Sequence, residues 1–90
     1  MWQYAFSKDA EKSLKNIPSK TVSVILQRIK NIGDWLDDKK ELVADIRKLH
    51  GEWEGFFRLR IGRIRVIFSI DEENEIVKIH DIGSRGDIYK

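Results

Sequence analysis

Residues 56–70 read FFRLRIGRIRVIFSI, and the pattern has a period of two. Phe57, Leu59 and Ile61 alternate with Phe56, Arg58 and Arg60. Past Gly62, Ile64, Val66, Phe68 and Ile70 alternate with Arg63, Arg65, Ile67 and Ser69. Such alternation marks half-buried strands, because successive side chains point to opposite sides of a sheet. Gly62 suits a tight turn between the two strands. A second turn over Asp71–Asn74 leads into a strand from about Glu75 to Ile82. Connections this short join antiparallel neighbours, so the three strands form a meander. One face carries Phe57, Leu59, Ile61, Ile64, Val66 and Phe68 and must be covered. The other carries Arg58, Arg60, Arg63 and Arg65. Slipping the register by one residue would bury the guanidiniums, at prohibitive cost. The arginines are therefore expected to gather on one open face.

The cover lies upstream. Trp2, Tyr4 and Phe6 alternate with Gln3 and Ala5, which predicts an opening strand. Ser7 can cap a helix over 8–16, with Asp9 and Glu11 in its first turn and Ala10, Leu14 and Ile17 on one side. Pro18 ends that helix and Ser19 can cap the next. Val22, Ile25, Leu26, Ile29, Ile32 and Leu36 give the second helix an apolar stripe, and Gly33 is expected to weaken its end. The charged stretch Asp37–Asp45 reads as a loop. The fold expected is α+β, an N-terminal helix hairpin packed on a twisted, mainly antiparallel four-stranded β-sheet.

Ninety residues suit one domain spanning 1–90. The absence of cysteine suits a reducing compartment. The N-terminus has no basic stretch followed by an apolar run, and no apolar run approaches the ~18 residues of a membrane span. A cytoplasmic protein without a membrane partner is expected. No His/Cys cluster suggests zinc and no Gly-rich loop suggests a nucleotide, so no cofactor is expected. Net charge is only +2, but residues 47–65 hold Arg47, Lys48, Arg58, Arg60, Arg63 and Arg65 against Glu52 and Glu54. Five of those six cations are arginine, whose planar fork matches phosphate better than lysine does. Crowded guanidiniums on one face point to a polyanion.

Three stretches carry a resemblance: YAFSKDAEKSLKNIP (4–18), KLHGEWEGFFRLRIGRIRVIFSID (48–71) and IVKIHDIGSRGDIYK (76–90). In order and spacing they resemble the RelE/ParE toxins of toxin–antitoxin pairs. The resemblance implies a toxin neutralised by a cognate antitoxin, the pair binding its own operator DNA. RelE-like members cut messenger RNA in the ribosomal A site, whereas ParE-like members poison DNA gyrase. Gly83-Ser84-Arg85 and Tyr89 are more similar to the ribonuclease branch. A weakly active relative serving as an antitoxin-binding co-repressor is a third reading.

For the ribonuclease branch, the resemblance implies metal-independent attack of a ribose 2′-hydroxyl on the adjacent phosphate. Carried over by position, the catalytic residues are Arg58, Arg60, Arg65, Arg85 and Tyr89. Arg63, Arg47, Lys48 and Phe56 join them as RNA-binding residues. Arginines stand where family members carry lysines, and Ser84 stands where many carry histidine. The spacing from Arg85 to Tyr89 is shorter than in RelE itself. Arginine is a poor base, with a pKa above ~12, so the general acid and base stay unassigned.

The remaining candidates read as structural. His80 has the parity of Lys78 and Ile82 and reads as a strand histidine; His50 reads as surface. Trp2, Trp35 and Trp53 read as packing residues, and Asp81 and Asp87 as ion-pair partners of arginines. Phe56 shares the parity of Arg58 and Arg60, so it can stack on a base.

Overall fold

The computed structural model describes residues 1–38 and 45–84. Strand β1 (Gln3–Phe6) leads into helices α1 (Lys8–Lys15) and α2 (Ser19–Asp38). Strands β2 (Ile46–Lys48), β3 (Phe57–Ile61), β4 (Ile64–Asp71) and β5 (Ile76–Ser84) follow, with a 3-10 turn at Gly51–Trp53. The two helices pack on one mixed sheet in the order β1-β5-β4-β3-β2. All pairings are antiparallel except β1 with β5. The sheet thus has five strands rather than the expected four. The extra one, β2, is only three residues long, too short for a period of two to show in the sequence.

The core forms where the meander's apolar face meets the helices. Leu59, Val66, Phe68, Val77, Ile79 and Ile82 from the strands pack with Ala10 of α1 and with Ile25, Ile29 and Ile32 of α2. Phe57, Ile61 and Ile64 close its margin. Phe57 and Phe68 face each other across β3 and β4, with their rings stacked 5.3 Å apart. On α2 the buried stripe is narrower than expected. Leu26 is 38% exposed, because Ile25, Ile29 and Ile32 already fill the side facing the sheet.

Helix α1 is joined to β5 through its cap. Ser7 Oγ accepts from Ala10 N (3.0 Å), donates to the His80 carbonyl (2.7 Å), and Ser7 N donates to the Ile79 carbonyl (2.9 Å). One hydroxyl thus satisfies an orphan helix donor and a strand carbonyl together.

Helix α2 runs through Gly33 instead of weakening there. Tyr4 Oη of β1 donates to the Lys30 carbonyl (2.8 Å) and accepts from Gly33 N (3.2 Å). A Cβ at residue 33 would overlap Tyr4 Oη. Glycine therefore stands in the helix to let a strand side chain reach its backbone. Arg28 of α2 pairs with Asp45 at 2.6 Å, fastening the helix to the start of β2. Helix α2 runs to Asp38, into the stretch Asp37–Asp45 expected as a loop, and 39–44 lie outside the described residues.

Alanine is favoured over glycine in a helix by about 1 kcal/mol. Gly33→Ala is nevertheless expected to destabilise the protein by about 1–3 kcal/mol, as overpacked sites do. In a Tyr4→Phe background the same change should cost less. Urea unfolding of the four proteins tests this, and strictly additive effects would refute it.

Candidate nucleic-acid interface

The register of the sheet decides which cations meet. Arg47 of β2 lies opposite Arg58 of β3, which lies opposite Ile67 of β4, which lies opposite Asp81 of β5. In the next row Arg60 lies opposite Arg65, and Arg65 opposite Gly83. Alternation places both rows on the side of the sheet away from the helices. The Arg60–Arg65 pair adjoins Ile61 and Ile64, which close a two-residue hairpin. Gly62 has φ +60° at the first turn position, as a II′ turn requires. The pair next to such a closure is the non-hydrogen-bonded kind, with Cα atoms about 4.5 Å apart and side chains at their closest.

Two like charges directly opposite destabilise a sheet by themselves. Arg47 and Arg60 are exposed, whereas Arg58 and Arg65 are half-buried. Ile67, in the same row as Arg47 and Arg58, is fully buried on the face away from the helices, so neighbouring side chains close over it. The Nε of Arg65 is buried and meets no acceptor among the described residues. A buried donor without an acceptor is costly, and an anion on this face would relieve both that cost and the repulsion.

Two expected members stand apart. Arg63 occupies the second position of the hairpin turn, not the strand, so it lies at the end of the face rather than on it. Lys48 lies opposite Phe57, a residue of the helix-covered side, and therefore points away from Arg47. Continuing the alternation back to the residue after Gly62 puts Arg63 on the face, and charge alone groups Lys48 with it; the turn and the pairing overrule both. Arg85, Tyr89 and Asp87 lie outside the described residues.

At the other end of the face is a feature the sequence did not signal. Phe68 pairs with Ile79 and Ile67 pairs with Asp81, so His80 is the extra residue of a β-bulge. Val77 and Ile79 point into the core, and so does Ile82. The bulge absorbs the change of parity and turns both His80 and Asp81 to the arginine side. His80 therefore goes with Lys78, not with Ile82. Its Nε2 is 2.7 Å from Ser69 Oγ, and its ring lies 4.8 Å from that of Phe56 at 62°. Phe56 also meets Trp53 edge-on at 5.5 Å. Burial, with the Lys78 charge second, lowers the His80 pKa, so the imidazole is neutral at neutral pH. Asp81 makes no ion pair with an arginine among the described residues; its Oδ1 accepts from Ile82 N at 3.0 Å.

The family model of the ParE toxin of type II toxin–antitoxin systems, parDE, matches residues 4–89. Several solved structures are similar. The RelE of an archaeal RelE–RelB complex from Pyrococcus horikoshii is 26% identical, covering 96% of this chain and 97% of that one, with a TM-score of 0.72. A chain of the RelBE2 toxin–antitoxin complex from Mycobacterium tuberculosis is 23% identical, covering 93% and 98%, with a TM-score of 0.72. The isolated Escherichia coli RelE toxin is 13% identical, covering 99% and 89%, with a TM-score of 0.73. None of the curated proteins compared matches the chain.

The lowered His80 pKa sets a sign for stability. Unfolded histidine, near ~6.5, binds protons that the folded chain refuses. The contribution of this site is complete above that value and is lost as pH falls through the lowered folded value. Asp71 acts in a separate, more acidic window. Hydrogen bonds from the Asn74 side chain and then its backbone lower its pKa, so its contribution fades only at lower pH. Urea midpoints measured from about pH 7.5 to 5 should fall more in the wild type than in His80→Gln. Equal slopes would contradict the assignment.

Proposed function

Starting from a chain that belongs to the ParE toxin family of type II toxin–antitoxin systems, we propose that it is a ribosome-dependent messenger RNA endonuclease restrained by a cognate antitoxin. The observation that carries this reading is the Arg60–Arg65 pair, set side by side beside the Arg47–Arg58 pair. Four guanidiniums in two adjacent rows make a grip for consecutive phosphates of a nucleic-acid backbone.

Cleavage through the 2′-hydroxyl places extra negative charge on the non-bridging oxygens of the phosphorane. Preorganised donors aimed at that charge supply the largest share of such catalysis, and removing one costs about 3–4 kcal/mol. Arg58, Arg60 and Arg65 take this role. Arg85 and Tyr89, assigned by position in the family pattern, complete the site. Arg47 and Phe56 extend the contact along the strand, and Arg63 adds charge from the turn. Lys48, on the helix side, has no part in it.

The similar Pyrococcus and Mycobacterium chains were solved with antitoxins, which supports an antitoxin as the protein partner and operator contact through the complex. No helix among the described residues is long and apolar enough to cross a membrane; the reading places the protein in the cytoplasm, where ribosomes are.

The ParE description of the matched family favours a second reading, inhibition of DNA gyrase. Induction in cells with transcript mapping separates the two. Codon-phased breaks are expected, whereas DNA damage with intact transcripts supports the gyrase target. In a reconstituted translation reaction, Arg65→Ala is expected to slow cleavage by about 10²–10³-fold with a melting temperature no lower than that of the wild type, since the change removes a like charge and a buried donor without an acceptor among the described residues. Loss of activity only through unfolding would remove Arg65 from the site.

A further inference from the structure

We propose that His80 takes the proton from the attacking 2′-hydroxyl, presented on the arginine face by the β5 bulge and oriented by Ser69. The proposal deepens the ribonuclease reading and rests on it.

The reaction needs a proton acceptor that the arginines cannot provide, since guanidinium stays protonated. The charged and titratable groups around His80 on this side of the sheet are Asp71 of β4, Lys78 and Asp81 of β5, Arg65 of β4, Arg58 and Arg60 of β3, and Arg47 of β2. Asp71 is engaged by Asn74 and by Lys78 at 3.9 Å. Asp81 is turned back on its own backbone through Ile82 N. His80 is the neutral imidazole among them, and burial keeps it so.

Its placement is built rather than incidental. The bulge leaves His80 without a partner in the β4 register, which is how a bulge re-aims a side chain. Ser7, directly after β1 and beside β5, holds the His80 carbonyl with its Oγ at 2.7 Å. Phe56, just before β3, and Ser69 of β4 fix the ring. Nε2 is engaged with Ser69, and Nδ1 makes no hydrogen bond among the described residues, so Nδ1 is the nitrogen offered to substrate. Arg58 stands one row along. Two residues of strand span about 6.6–6.8 Å, so a phosphate gripped by Arg58 brings its ribose toward the His80 row.

The step balances without a co-reactant. Nδ1 accepts the 2′-hydroxyl proton as the 2′-oxygen bonds to phosphorus. The bond from phosphorus to the 5′-oxygen breaks, and that oxygen takes a proton from solvent. The products are a 2′,3′-cyclic phosphate and a 5′-hydroxyl, and the imidazolium returns its proton to water.

The test is single-turnover cleavage of a mapped messenger in a reconstituted translation reaction across pH. His80→Gln is expected to slow cleavage by about 10²–10⁴-fold, the usual share of a general base, with ribosome binding and melting temperature retained. The acid limb of the wild-type profile should vanish with it, and Ser69→Ala should displace that limb. Added imidazole should restore part of the rate to His80→Ala, which a folding defect would not permit. Wild-type rate and profile in His80→Gln, or no rescue of a slowed His80→Ala, overturns the proposal. If the wild type itself leaves the messenger intact, the ribonuclease reading fails and His80 loses its role with it. That outcome is recognised because all variants then behave alike.

Discussion

The facing of Arg60 and Arg65 across the β3–β4 hairpin is the constraint on which the rest of the molecule turns. Neither charge benefits the fold by standing opposite the other. They are held there because Leu59, Val66 and Phe68 must lie under the helices, and a strand gives its side chains only two directions. The gain from burying the apolar set exceeds the repulsion between the cations. The core therefore fixes the spacing of the charges, and the charges cannot relax without unmaking the core. The packing energy of one face thus holds the guanidiniums of the other in place.

The helices do more than cover the sheet. Ser7 begins α1 and at the same time holds the carbonyl of the bulged His80. Tyr4 ties β1, the neighbour of β5, to the backbone of α2 at Gly33. Arg28 ties α2 to Asp45, whose carbonyl accepts from Arg60 N. The Ser7 tie reaches His80 and the Arg28 tie reaches Arg60 through Asp45, both on the arginine side of the sheet. The layers are thus mechanically linked at both ends of the site.

A shared fold leaves the target open, because function lies in the surface residues and not in the scaffold. The chain's membership of a toxin family and its likeness to RelE structures bring the antitoxin partnership within reach. The chemistry has to be argued from the arginine rows and from the group that accepts a proton. An all-arginine grip differs from a lysine-bearing one in this respect. It stabilises an anion well but supplies no base, which gives a neutral imidazole on the same side its interest.

The period of two over 56–70 was enough to assign β3 and β4 and the apolar face. Ser7, Pro18 and the Ile25–Ile29–Ile32 spacing were enough for the helices, because caps and periodicity are local properties. Arg58, Arg60 and Arg65 could be placed together for the same reason. Other features depended on contacts distant in the chain. Gly33 reads as a helix breaker until Tyr4 arrives beside it. Lys48 and Arg63 read as members of the basic face until pairing and turn geometry move them off it. His80 reads with Ile82 until one unpaired residue in β5 shifts the parity. Sequence determines alternation within a strand, but a bulge is decided by how two strands fit across a twisted sheet against a packed core. That fit exists only in the tertiary structure.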